Sequence, residues 1–171
     1  QGKLKEAEPL LQQALQGLRE ARGDRDAATL SAMSDLSRLL LDLNRRGESE
    51  PLCREALDGR RALLGARHPD TINSIKELGV MLKAQGKPEA EPLLVEALAA
   101  RRETLGDQNK ETLVAINHLA VFLQAQGKYA AAEPLLREAL AGKRRTNGDA
   151  HKDTFNSINN LGLLLHLLGR L

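Results

Sequence analysis

Four histidines, one cysteine and a few neighbouring carboxylates carry the reactive chemistry open to this chain. A helical metal site needs two ligands four residues apart on one face. His68, His118, His151 and His166 offer no such pair, and His68 and His151 occupy the same kind of polar link, where capping a helix explains both. Cys53 stands alone, so it has no disulfide partner and no companion thiolates for a metal. Asp24 and Asp26 lie in a polar link with no buried pocket to set their pKa values apart. A phosphate-binding loop, a nucleophile elbow and a cysteine–histidine constellation are all missing from the sequence. These residues predict no enzyme, no metal and no cofactor.

Charge gives the next bound. With 25 Lys and Arg against 23 Asp and Glu, the formal net charge is +2, too small to attract a nucleic acid or a membrane in bulk. A basic ladder recurs at Arg19, Arg60-Arg61, Arg101-Arg102 and Lys143-Arg144-Arg145. It reads either as a track for an acidic peptide or as favourable charge near helix C-termini, and Glu20, Asp58 and Glu103 close by favour the second. Stacking platforms for single-stranded nucleic acid need aromatics, and the chain has no Trp, one Tyr (Tyr129) and two Phe (Phe122, Phe155). Leu and Ala must therefore do the packing, which suits close-set helices. No apolar run reaches membrane-spanning length and no signal peptide precedes the first repeat, so a reducing, cytoplasmic setting is expected.

The elements that would position these residues repeat. Glu8-Pro9-Leu10-Leu11, Glu50-Pro51-Leu52-Cys53, Glu91-Pro92-Leu93-Leu94 and Glu133-Pro134-Leu135-Leu136 follow one another at 42, 41 and 42 residues. A fixed period of this size is the mark of a solenoid, in which each unit buries its apolar face against its neighbours. One half of each unit starts near Thr29, Thr71, Thr112 or Thr154. Apolar residues then fall 4, 7 and 11 positions on, as in Ile75, Leu78 and Leu82, and draw one stripe along a helix, here called A. Helix A ends at Asn44, Gly86, Gly127 or Gly169, where a reversal needs a left-handed residue, and Gly2 takes that place before the first helix. The other half, helix B, carries the proline about one turn in and runs to Gly23, Gly65, Gly106 or Gly148. Cys53 falls where other copies have Leu11, Leu94 and Leu136, and reads as a small apolar residue. The missing residue of the third copy lies beside Pro88, which is expected to restart a helix of unchanged length.

The string Leu-Gly-x-x-His-Pro-Asp-Thr-x-Asn-Ser, continued by Gln-Gly-Lys and Ala-Glu-Pro-Leu-Leu-x-x-Ala-Leu, resembles the 42-residue tetratricopeptide repeat of kinesin light chains and nephrocystin-3-like proteins. It is clearest over Leu64–Leu98 and Leu105–Leu140. The resemblance implies an all-α, right-handed α-solenoid of antiparallel helix pairs, about eight helices in all. Residues 1–171 then form a single array, with approximate units 1–43, 44–85, 86–126 and 127–168, read as part of a longer one.

The same resemblance implies a concave groove lined by A helices. Off the apolar stripe these carry Ser31, Ser34, Asp35, Ser37 and Leu41 in the first copy; Asn73, Lys76, Glu77, Val80 and Lys83 in the second; Val114, Asn117, His118, Val121 and Gln124 in the third; and Asn156, Asn159, Asn160, Leu163 and His166 in the fourth. Asn159-Asn160 sits where kinesin light chains often have two asparagines. Carboxamides both donate and accept, so a row of them can hold a peptide by its backbone, unless they bond to one another between helices. The carboxylate-clamp variant of the fold is disfavoured, because only Lys76 and Lys83 supply groove cations. The expected partner is a protein or peptide, the expected role that of an adaptor or scaffold. A spacer that self-associates through its uncapped ends is the alternative, and a regulatory part of a larger protein a third.

Overall fold

The computed structural model describes residues 2–170. Among the described residues there are eight helices and no strand: α1 (Gly2–Arg22), α2 (Ala27–Asp42), α3 (Arg46–Leu64), α4 (Pro69–Ala84), α5 (Ala90–Leu105), α6 (Lys110–Ala125), α7 (Tyr129–Asn147) and α8 (Lys152–Leu167). Odd-numbered helices are B helices and even-numbered ones A helices. The chain divides into two compact units, residues 1–81 and 82–171, with the boundary inside α4. In the first unit α2 packs on α1 and α3; in the second α6 packs on α5 and α7, and α8 on α7 and α6. None of the described helices is long and apolar enough to cross a membrane.

The stripe read from the sequence is the core. Met33, Ile75 and Ile116 have no exposed surface, and Leu36, Leu78, Leu119, Leu40, Leu82 and Leu123 are buried. The fourth copy departs from the expectation: Ile158 is 40% exposed, and Leu161 and Leu165 are half-buried. In the earlier copies the cover comes from the B helix that follows. Leu30 of α2 lies over Gly59 of α3, and Leu113 of α6 over Gly142 of α7, whereas no described helix follows α8 to play that part.

Each A helix ends as its sequence requires. Asn44 has φ 61°, and Gly86, Gly127 and Gly169 have φ between 65° and 72°. The amide of Arg45 bonds to the carbonyl of Leu40 at 2.8 Å and that of Asn44 to Leu41 at 2.8 Å, the two bonds of a Schellman turn. The turn sets the next residue against the preceding B helix. There Arg45 Nη1 holds both oxygens of Glu8 at 2.7 Å, Lys128 holds Glu91 at 2.6 Å, and Arg170 holds Glu133 at 2.8 Å. The glutamate of Glu-Pro-Leu-Leu is thus a tie from helix B to the A-to-B turn. The prolines themselves are exposed, so their rings face solvent. Gly2 begins α1 instead of turning ahead of it.

The one-residue deletion is absorbed differently from the expectation. Pro88 does not restart a helix: α5 begins at Ala90 and has 16 residues against 19 in α3 and α7. A tight turn replaces the lost helical turn, with the amides of Ala90 and Glu91 bonded to the carbonyls of Lys87 and Pro88 at 3.1 Å. Register is then regained, because Ala90 is wholly buried like Ser49 and Ala132. At the other end of the A helices the caps are as expected. His68 Nδ1 accepts from the amide of Asp70 at 3.2 Å and His151 Nδ1 from that of Asp153 at 3.1 Å, while Pro69 is the first residue of α4.

The turn ion pairs make acid sensitivity predictable. Burial pushes Glu133 up, but the guanidinium groups of Arg170 and Arg137 outweigh it and hold the carboxyl below its ordinary value of 4.5; Arg45 does the same for Glu48. A carboxylate held low in the folded state stabilises it above the unfolded value and loses that contribution as pH falls through the folded value. Melting temperature is therefore expected to be flat near neutrality and to drop below about pH 4.5, with a shallower drop in Glu133→Gln. Thermal melts followed by circular dichroism across this range check it.

Candidate functional site

In the first unit, residues of two A helices converge on a polar cavity of about 200 Å³. Ser31, Ser34, Asp35 and Arg38 of α2 line it with Asp70, Asn73 and Glu77 of α4 and Arg60 of α3. Arg38 pairs with Asp35. Arg60 reaches in from the B helix, and its Nη1 donates to Ser34 Oγ at 2.8 Å and Ser74 Oγ at 2.5 Å. The cavity therefore offers hydroxyls, a carboxamide and charges of both signs. Ser37, expected on this face, is buried instead. Its Oγ lies 2.7 Å from Ser49 Oγ and 2.8 Å from Cys53 Sγ, tying α2 to α3, and burial pushes the Cys53 thiol up. The surface place goes to Arg38, which is exposed. Lys76 and Leu41 are half-buried.

In the second unit the asparagines of neighbouring A helices meet. Asn160 Nδ2 of α8 donates to Asn117 Oδ1 of α6 at 2.9 Å. The bond consumes one donor and one acceptor site, leaving carboxamide N–H groups and the Oδ1 of Asn160; a half-turn of both amides exchanges the roles and leaves the same inventory. Asn156, Asn159 and His166 are exposed, and His118 and Gln124 are half-buried. Apolar surface accompanies them, with Leu163 51% exposed and Val114 and Val121 half-buried. Lys83, near the end of α4, is half-buried, and burial lowers the pKa of its ammonium group.

The basic ladder separates into two rows. Arg19 bonds to Glu55 at 2.6 Å and Asp24 at 3.0 Å, and Arg102 to Glu138 at 2.6 Å and Asp107 at 3.2 Å. Arg144 holds Asp149 at 2.9 Å. Arg19 and Arg102 join successive B helices and Arg144 holds the link after its own helix, so the charge of all three is already paired. The other row is Arg60, Arg101 and Lys143. Arg101 is 2% exposed and bonds to the Glu111 carbonyl at 3.1 Å and carboxylate at 3.2 Å. Burial lowers the pKa of Arg101 and Lys143, opposed by Glu111 and Asp153 respectively. Among the described residues no group of three or more His, Cys, Asp or Glu is placed to hold a metal ion.

The sequence profile of the tetratricopeptide repeat matches residues 29–70, 71–109 and 112–153. The chain is a tetratricopeptide-repeat protein. Among solved structures, the nearly identical TPR-like repeats of a kinesin light chain-like protein from P. anserina match with a TM-score of 0.88 at 24% identity, over 99% of this chain and 80% of that one. A second structure of those repeats gives 0.87 at 24% identity, covering 99% and 81%. BtubC (BKLC) from P. vanneervenii gives 0.87 at 22% identity, covering 99% and 68%. These likenesses establish the fold, an all-α tetratricopeptide-type solenoid. Comparison with curated sequences gives no match.

The three tetratricopeptide matches open on Thr29, Thr71 and Thr112, and their role is visible. All are wholly buried; Thr71 Oγ1 donates to the Arg60 carbonyl at 3.3 Å and Thr112 Oγ1 to that of Arg101 at 3.4 Å, fastening α4 to α3 and α6 to α5, whereas the Thr29 hydroxyl has no hydrogen-bond partner among the described residues. Arg60 is the cavity-lining residue that sequence reasoning did not single out. Its signal was the doublet: adjacent helical residues point about 100° apart, so Arg60 and Arg61 cannot serve one surface.

Proposed function

We propose that this tetratricopeptide-repeat protein is an interaction module that holds an extended peptide segment of a partner protein against its A-helix face. The observation that carries the reading is the Asn117–Asn160 bridge with free carboxamide groups beside exposed Leu163. A peptide carbonyl accepts from a carboxamide N–H while the neighbouring peptide N–H donates to the remaining Oδ1, so the contact reads backbone and tolerates sequence. Leu163 and Val121 supply the apolar anchors, each worth about 1–3 kcal/mol once desolvated. Within the first unit Asn73, Glu77 and Arg60 offer a polar cavity of their own to a polar side chain. We assign no catalysis and no cofactor to the chain, and its single buried thiol suits a reducing, cytoplasmic compartment.

Peptides selected from a display library on the folded chain test the reading. In nitrogen-15 spectra the side-chain amides of Asn117, Asn159 and Asn160 are expected to shift on peptide addition, with little change at the exposed B-helix residues Arg54 and Arg137. Shifts confined to B helices would refute the assignment.

A further inference from the structure

One cation of the second unit is buried without a bond. Arg60, Arg101 and Lys143 share one repeat position, eleven residues before Thr71, Thr112 and Thr154. Arg60 spans two A helices, its Nη1 donating to Ser34 Oγ of α2 at 2.8 Å and Ser74 Oγ of α4 at 2.5 Å. Arg101 meets the Glu111 carboxylate at 3.2 Å. Lys143 is 8% exposed, and among the described residues its ammonium has neither a hydrogen-bond nor an ion-pair partner. The charge of Asp153, half-buried in the first turn of α8, acts on it from beyond ion-pair distance.

The groups in register around Lys143 are donors. The Thr154 hydroxyl bonds to the Lys143 carbonyl at 3.5 Å as that of Thr71 bonds to the Arg60 carbonyl, so the two B-to-A contacts correspond. In that register Asn117 of α6 stands where Ser34 does, five residues after the threonine of its helix. Ser157 of α8 stands where Ser74 does, three residues after. Ser157 is wholly buried and its Oγ has no partner among the described residues, whereas Ser74 accepts from Arg60. Asn117 gives its Oδ1 to Asn160 and keeps its carboxamide N–H groups. Lysine ends in one nitrogen where arginine has a planar fork, and here it bonds to neither residue. An ammonium, a hydroxyl and a carboxamide are thus left able to donate, and a buried ammonium is costly until an anion meets it.

We propose that Lys143, Ser157 and the Asn117 carboxamide form a carboxylate subsite of the A-helix groove, filled by an aspartate or glutamate side chain of the bound peptide. The proposal rests on the peptide reading above and adds one requirement: an acidic residue beside the backbone that Asn117 and Asn160 hold. One carboxylate oxygen accepts from the ammonium and the other from the hydroxyl and the amide. A single ammonium, already in the field of Asp153, suits a monoanion better than a phosphate dianion. The cation comes from a B helix, and so stands outside the set of groove residues that the A helices supply.

Peptides selected by display on the folded chain, resynthesised with acetylated and amidated ends, test this by a double-mutant cycle. They are expected to share an Asp or Glu at one position. Changing it to Asn or Gln is expected to weaken binding to the unaltered chain about tenfold, and binding to Lys143→Met less than about twofold. Lys143→Met fills the same space without charge, and circular dichroism melts separate a lost contact from a lost fold. Ser157→Ala, a change too small to threaten the fold, is expected to weaken the acidic peptide about threefold and to spare its amide form. An acid preference unchanged in Lys143→Met and Ser157→Ala, or peptides without a shared acid that still shift the Asn117 and Asn160 amides, would overturn the subsite and leave the peptide reading standing. Peptides that bind and shift neither asparagine would overturn both.

Discussion

Gly142→Val is expected to destabilise the protein by roughly 1–3 kcal/mol, although glycine inside a helix is ordinarily the weaker residue. A β-carbon there overlaps Leu113 Cδ2 and stands 3.0 Å from Cδ1 and 3.2 Å from Cγ, and Leu113 is 1% exposed with nowhere to go. Gly17 occupies the same repeat position on α1, where the site is open. Gly17→Ala is therefore expected to stabilise by about 0.5–1 kcal/mol, measured at concentrations where the chain is monomeric. Opposite signs at one repeat position, read from urea denaturation of the two variants, would show that helix contact and not helix propensity selects the glycine.

A core deletion gives the larger loss. Leu136 is wholly buried on α7 between Ala132 and Ala139, themselves wholly buried, so little around it can collapse into a void. Leu136→Ala is expected to cost about 3–5 kcal/mol. Its counterpart Leu11, on the first B helix, is only half-buried. Leu11→Ala should cost about 1 kcal/mol, a fraction of the full transfer and cavity penalty. Equal losses at the two positions in denaturant midpoints would contradict the nearest-neighbour character of the repeat.

The repeat was legible because it is written in residues with few alternatives. Asn44 and three glycines mark the left-handed turns, the 4-7-11 stripe marks the buried face, and Pro69 and the histidines mark helix starts. What escaped depended on neighbours in space. Ser37 looks polar and hence exposed, yet Ser49 and Cys53 of the next helix give it hydrogen-bonding company that sequence spacing does not reveal. Pro88 looks like a helix start, but the one-residue deletion leaves too little chain for a helical turn before Ala90 must be buried. Ile158 follows the stripe faithfully and is exposed because its cover is a property of the helix after it. The asparagines of the candidate site were proposed from resemblance and position, and the structure adds that Asn117 and Asn160 bond to each other, while Arg60 was hidden by its twin, Arg61. In each case the sequence pattern names the element, and the packing partner decides what the side chain does.

The central claim is that carboxamides on the A helices grip a partner's backbone. Affinity of a display-selected peptide for the chain and for Asn117→Ala/Asn159→Ala/Asn160→Ala, both verified as folded, tests it most directly. The account predicts at least a tenfold weakening, about 1.4 kcal/mol, as two or three hydrogen bonds are lost. A folded triple variant that binds the same peptide with undiminished affinity would contradict it.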